Sequence, residues 1–153
     1  MGLKVAFQMD PIAGVDIDAD STFRLAEEAQ ARGHALFVYG PDRLALDGGR
    51  ITARGHPVTV RRMRGDHVTF GAAERIDLAS RDVVWLRQDP PFDMAYITAP
   101  IFSNIFTLKP LVVNDPVSVR NAPEKLFVTH FDGVMPPTLI SSSDEESQGL
   151  PAT

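Results

Sequence analysis

One stretch of the chain, Asp82 to Ile97, constrains the fold more than any other. After Asp82 come four apolar residues, Val83–Leu86, a run typical of a strand buried on both faces of a sheet. Polar residues and a proline pair follow this strand: Arg87, Gln88, Asp89, Pro90 and Pro91. The prolines fix the backbone, and ligands in open α/β sheets bind at the carboxyl ends of strands. The stretch therefore predicts charged side chains that face a cleft.

The amino-terminal sequence predicts a β–α–β unit. Leu3–Gln8 is a compact apolar run that indicates a first strand, and Ala35–Tyr39 indicates a second. Between them, Ser21 or Thr22 is the candidate N-cap of a helix whose apolar residues recur three and four positions apart. Gly33 is placed to end that helix as its C′ residue. The connection is long enough for a right-handed crossover between parallel strands.

The middle of the chain predicts an excursion into β-hairpins before the parallel sheet resumes. The segments, in order, are a hairpin over Leu44–Ala53, a hairpin over Val58–Phe70, a strand at Val83–Leu86, a helix from Asp93 through Ile97, a strand at Leu111–Val113, a short helix at Pro123–Thr129 and a strand at Thr138–Ile140. The predicted fold class is α/β: a Rossmann-like open, mostly parallel sheet with helices on both faces and a β-hairpin excursion.

Composition and charge exclude several kinds of partner. The chain has 15 basic and 20 acidic residues, a net charge of −5, whereas nucleic-acid-binding proteins usually present a basic face. The densest basic cluster, Arg61, Arg62 and Arg64, is short. The sequence contains no apolar run of about 18 residues, so no membrane span is predicted. It does not begin with a signal-peptide pattern. With no cysteine, the expected location is the cytoplasm, with neither nucleic acid nor membrane as a partner.

Few motifs for metal or phosphate chemistry are present. The four histidines, His34, His56, His67 and His130, lack metal-ligand spacing. Neither G-x-G-x-x-G nor G-x-x-x-x-G-K-[ST] occurs. We therefore expect no metal site and no catalytic residue within these 153 residues.

Six blocks, in order along the chain, carry a family resemblance. They are Met9-Asp10-Pro11-Ile12, Asp20-Ser21-Thr22-Phe23, Glu28 to His34, Arg87 to Asp93, Val112 to Pro116 and Asn121 to Phe127. Together they resemble the bacterial glutathione synthetase family of the ATP-grasp superfamily, from Lys4 to about Ile140. The resemblance implies a ligase that joins γ-glutamylcysteine to glycine with ATP and magnesium through an acyl-phosphate. It also implies a pre-ATP-grasp domain at 1–122 and the start of the ATP-grasp region at 123–140. The tail at 141–153 diverges from the family, and its Ser- and acid-rich composition predicts disorder.

The resemblance and the strand edges together single out five candidate binding residues. Arg87 would bind a substrate carboxylate, although a structural pair with Asp89 would also explain it. Asp89 could meet the substrate's α-ammonium group. Asp10 and Ser21 should face the same sheet edge, where a plain N-cap role explains Ser21 equally well. Lys125 resembles the family's lysine that holds nucleotide phosphates.

Several alternatives to an active ligase remain open. Most family ligands for ATP and magnesium would lie beyond Thr153, so we expect this polypeptide alone to be inactive, through a frameshift or premature stop near Glu146. A stand-alone module that binds a small peptide or amino acid is the second interpretation. A third is an interaction fragment that exposes Phe102 and Phe106. The complete enzyme of the family is expected to be a homo-oligomer.

Overall fold

A mixed β-sheet whose central strands run parallel forms the core of the unit that spans residues 1–120. The computed structural model describes residues 2–88, 110–121, 127–131, 133–134 and 139. Its strands are β1 (Lys4–Gln8), β2 (Ala35–Tyr39), β3 (Leu44–Asp47), β4 (Arg50–Val60), β5 (Val68–Phe70), β6 (Glu74–Asp77), β7 (Val83–Leu86) and β8 (Leu111–Val113). Its α-helices are α1 (Ser21–Ala31) and α2 (Pro116–Asn121), and short 3-10 turns lie at Ile12–Gly14, Pro41–Arg43, Leu78–Ser80 and Val128–His130. By its internal contacts the chain divides into residues 1–120 and 121–153; the predicted three-part division stays a prediction.

The strand order confirms the predicted fold class. The order is β3-β4-β2-β1-β7-β8, with β5 and β6 also paired to β4. Strand β1 pairs in parallel with β2 and β7, and β7 pairs in parallel with β8. The central position of β1 explains why Ala6 and Phe7 are fully buried. The predicted helix from Asp93 through Ile97, which would cover part of the sheet, lies outside the described residues.

Strand β4 carries both predicted hairpins. It is 11 residues long, pairing antiparallel with β3 in its first half and with β5 at its end. It also pairs with β2, and Gly55 makes this approach possible because a Cβ there would lie 2.1 Å from the Val38 carbonyl oxygen. Two further elements, β6 and α2, were not predicted. Alternating charges obscure β6, and Asp115, whose carboxylate accepts a hydrogen bond from Ser118 N at 2.7 Å, begins α2.

The two faces of the sheet bury different clusters. On the first face Val5, Phe7 and Val38 pack with Phe23 and Ala26 of α1. On the second face the buried residues come from five strands and the 3-10 turn that follows β6: Ala6, Phe37, Tyr39, Ile51, Ala53, Ile76, Leu78, Val84 and Leu86. Because α1 packs on the first face, it defines the face on which the candidate site lies.

No helix in the described part of the chain is long and apolar enough to cross a membrane.

The N-cap of helix α1 lies one residue before the predicted position. The N-cap is Asp20, whose carboxylate accepts a hydrogen bond from Phe23 N at 2.6 Å. The N-cap role predicted for Ser21 or Thr22 is therefore wrong, because Asp20, immediately before them, accepts this bond. Gly33 has φ +78° just beyond the helix, which confirms it as the C′ residue. The hydroxyl of Ser21 is left available for a tertiary contact.

Candidate functional site

Arg87 lies at the carboxyl end of β7 and reaches across to the start of α1. Its backbone N–H donates to the Gln8 carbonyl at 2.8 Å, which extends the β1–β7 pairing by one residue. Its guanidinium Nε donates to Thr22 Oγ1 at 3.1 Å, and its Nη2 donates to Ser21 Oγ at 2.7 Å. Two sequence-predicted residues, Ser21 and Arg87, are therefore in direct contact.

The geometry of these bonds leaves one edge of the guanidinium available. Nε and Nη2 form the side edge of the guanidinium, and the two hydroxyls occupy that edge. Nη1 makes no hydrogen bond within the described residues. Because hydroxyls are neutral, they orient Arg87 without cancelling its charge. The remaining Nη1/Nη2 edge has the fork geometry that binds a carboxylate in a bidentate manner.

The nearby arginines differ from Arg87 because carboxylates neutralise them. Arg62 bonds Glu27 at 2.7 Å and Asp18 at 3.4 Å, and Arg64 also pairs with Asp18. The hydrogen bond from Arg62 holds the pKa of Glu27 below its ordinary value. The basic cluster noted in the sequence is thus an ion-pair network that ties the β4–β5 hairpin to α1 and to the loop before it. It is not a surface that attracts anions.

A buried glutamine positions the residue after Arg87. Gln8 is fully buried at the end of β1, and its side-chain amide donates to the Gln88 side-chain oxygen. Gln8 Oε1 has no hydrogen-bond partner within the described residues. The sequence predicts Gln8 only as the end of the first strand. The sequence does place a polar side chain at the last position of a buried strand, and a buried polar side chain is expected to form a hydrogen bond.

Of the remaining predicted site residues, only Asp10 lies within the described part of the chain. Asp10 lines a cleft of about 800 Å³ on the other side of β1, together with Arg54 and His56 of β4. Ser21 and Arg87 do not line that cleft. Ser21 thus contacts Arg87, whereas Asp10 lines the cleft beside β4, and the edge shared by Asp10 and Ser21 stays a prediction. Asp89 and Lys125 lie outside the described residues.

The described residues do not assemble a metal centre. No group of three or more His, Cys, Asp or Glu side chains within them could hold a metal ion. Residues 2–88 and 110–121 therefore do not by themselves fit magnesium.

Fold and site together define a class: an α/β domain whose first helix orients an arginine at the carboxyl edge of a parallel sheet. The family described as "Prokaryotic glutathione synthetase, N-terminal domain" matches residues 3–120. Since this match spans most of the chain, the chain belongs to the prokaryotic glutathione synthetase family.

Curated relatives give the same result. The glutathione synthetase of Rhodopseudomonas palustris is 56% identical over 146 residues, 95% of this chain and 47% of that protein. The glutathione synthetase of Brucella melitensis is 53% identical, with 95% and 47% covered. That of Xanthomonas campestris is 38% identical over 142 residues, with 92% and 45% covered. The chain spans about half the length of the curated relatives it matches.

Proposed function

We propose that this chain forms the substrate-binding domain of a glutathione synthetase. The complete activity would be the ATP-dependent formation of a carbon–nitrogen bond between γ-glutamylcysteine and glycine. The contact of Arg87 with Ser21 and Thr22 is the observation that carries the proposal. Family membership, with relatives named glutathione synthetase, supports the choice of reaction.

Arg87 would bind a carboxylate of γ-glutamylcysteine. The substrate carries carboxylates, and the available Nη1/Nη2 edge can donate two parallel hydrogen bonds to one of them. The start of α1 lies beside the same guanidinium, and its helix dipole adds a positive partial charge. Ser21 and Thr22 would act as positioning residues because they hold the guanidinium in one plane before the substrate arrives. Such preorganisation lowers the entropic cost of binding.

The other assignments belong to the same proposal. Asp89 would meet the α-ammonium group of the substrate, Asp10 would line the substrate side of the domain, and Lys125 would bind nucleotide phosphates. ATP and magnesium would be held mainly by residues other than those described. The protein would act as a homo-oligomer in the cytoplasm. Residues 1–153 alone would not catalyse ligation, because they span about half of each relative.

A chimera tests whether this domain supports glutathione synthesis. Residues 3–120 would replace the matching segment of the Rhodopseudomonas palustris enzyme, a substitution favoured by the 56% identity of the two proteins over 146 residues. Purified chimera is expected to form glutathione from γ-glutamylcysteine, glycine and ATP, with a kcat within about tenfold of the parent enzyme, a barrier change of about 1.4 kcal/mol.

Two controls make the result interpretable. The 153-residue chain alone is expected to give no glutathione and no ADP release dependent on γ-glutamylcysteine. The parent enzyme with an inactivating deletion of the same segment sets the background. A chimera that folds, by circular dichroism, but makes no glutathione would contradict the proposed function. Ligase turnover by the chain alone would refute the expected inactivity.

A further inference from the structure

A second cationic position lies on the opposite side of β1 from Arg87. The cleft beside β4 is bounded by Met9–Ala13, Val38–Arg43, Arg54–His56, Phe70 and Ala73. We call it the β4 cleft. Its volume of about 800 Å³ falls in the range of small-molecule sites. Met9, Ile12 and Val38 give it an apolar floor, with Met9 and Ile12 almost fully buried.

Arg54, an exposed residue in the wall of this cleft, lies opposite a second arginine. The antiparallel register of β4 and β6 places it directly opposite Arg75. Directly opposed residues share one face of the sheet with Cβ atoms about 5 Å apart, and like charges there repel. Neither guanidinium has a hydrogen bond or ion pair to any residue that the structure describes. By contrast, Arg61, Arg62 and Arg64 are all paired with carboxylates.

His56 adds a polar group on the same face, two residues along β4. Its Nδ1 lies 3.0 Å from the Gly71 carbonyl oxygen, which can only accept, so Nδ1 carries the proton. The ring also packs edge-on against Phe70, with centroids 5.3 Å apart. These two contacts fix the ring in the cleft wall and leave Nε2 without a partner in the described part of the chain.

We propose that the β4 cleft binds a small carboxylate ligand with an apolar group, through Arg54. The carboxylate would offset the repulsion between Arg54 and Arg75, and the apolar group would contact Met9, Ile12 and Phe70. The planar Arg54 guanidinium can donate two parallel hydrogen bonds to a carboxylate, so a carboxylate is the proposed ligand class and phosphate is its comparison. This site is separate from Arg87 and does not depend on the ligase activity.

The test is an NMR titration of the ¹⁵N-labelled 153-residue chain at constant ionic strength. Three probes would be used: sodium N-acetylvalinate, its uncharged analogue N-acetylvalinamide, and inorganic phosphate. The carboxylate is expected to give saturable shifts at the amides of Arg54, His56 and Arg75. The uncharged amide should give none at the same concentrations. Phosphate should bind more weakly than the carboxylate.

Variants assign the binding to Arg54. Arg54→Gln is expected to weaken N-acetylvalinate binding about tenfold, the usual effect of losing a hydrogen bond to a charged group. Arg50→Gln removes a charge from the same strand outside the cleft and should leave binding unchanged. Unfolding midpoints of both variants would show that the fold is intact.

Three results would overturn the proposal. They are the absence of saturable shifts in the unmodified chain, equal affinity in folded Arg54→Gln, and equal binding of the uncharged amide. Tighter binding of phosphate than of the carboxylate would overturn the assigned ligand class. The chimera's glutathione synthesis reports on Arg87 separately, so failure here and failure of the proposed function are distinguishable.

Discussion

Gln30 links α1 to β4 in place of a missing strand. Its side-chain Nε2 donates to the Val60 carbonyl at 2.7 Å, and its Oε1 accepts from Val60 N at 2.7 Å. Strand β2 pairs with β4 from His56 to Val58 and does not reach Val60. The side-chain amide of Gln30 therefore forms the hydrogen bonds to the Val60 N–H and C=O that a neighbouring strand would otherwise form. Val60 is only 5% exposed, so water cannot fully replace these bonds.

Gln30→Met keeps the length of the side chain and removes both bonds. Two hydrogen bonds contribute about 0.5–1.5 kcal/mol each, and leaving buried partners unsatisfied raises the cost. The free energy of unfolding is expected to fall by about 2–3 kcal/mol. In urea this moves the midpoint down by about 1–2 M for a typical dependence on denaturant.

Urea unfolding followed by circular dichroism measures this loss. The matched control is Arg32→Met on the same helix, which removes only the exposed pair with Glu28. Exposed pairs of this spacing contribute about 0.5 kcal/mol or less. A Gln30→Met midpoint equal to that of Arg32→Met would refute the view that Gln30 replaces a strand.

Three further predictions concern α1 and its neighbours. Asp20→Ala should lower the free energy of unfolding by about 1–2 kcal/mol, and Asp20→Asn, which keeps an acceptor for Phe23 N, by less; urea unfolding ranks the two. Because the folded-state pKa of Glu27 is lowered, its ionised form stabilises the fold above the ordinary value of 4.5, and this stability is lost as pH falls through the lowered pKa. Glu27→Gln should therefore flatten stability against pH in that acid range, which unfolding at several pH values would show. In the chimera, Ser21→Ala with Thr22→Val should raise KM for γ-glutamylcysteine, about tenfold for two lost bonds to a charged group, whereas Thr22→Ser should not.

The parallel centre of the fold was predictable because its strands are short apolar runs with clear ends. Val83–Leu86 and Ala35–Tyr39 are such runs, and both form strands with the predicted bounds. Both predicted hairpins also form. That they share β4 was not predictable, because Gly55 and Pro57 interrupt the pattern from which a continuous strand is recognised.

The site was partly predictable for a similar reason. Arg87 follows a buried strand directly, so its position at the sheet edge followed from the strand itself. Its contact with Ser21 required knowing that Asp20 caps α1, and sequence rules favour serine and aspartate almost equally at that position. Arg54 could not be identified at all, because its role depends on the register that places Arg75 opposite.

The most direct test of the account is the KM for γ-glutamylcysteine of the chimera carrying Arg87→Gln. The control is Arg81→Gln, which alters an arginine just before β7 that contacts the Ser80 hydroxyl. We expect Arg87→Gln to raise this KM by about 10–100-fold, the effect of losing hydrogen bonds to a charged group. The KM for ATP should not change, and Arg81→Gln should have no effect. A folded Arg87→Gln chimera with an unchanged KM for γ-glutamylcysteine would contradict the proposed role of Arg87.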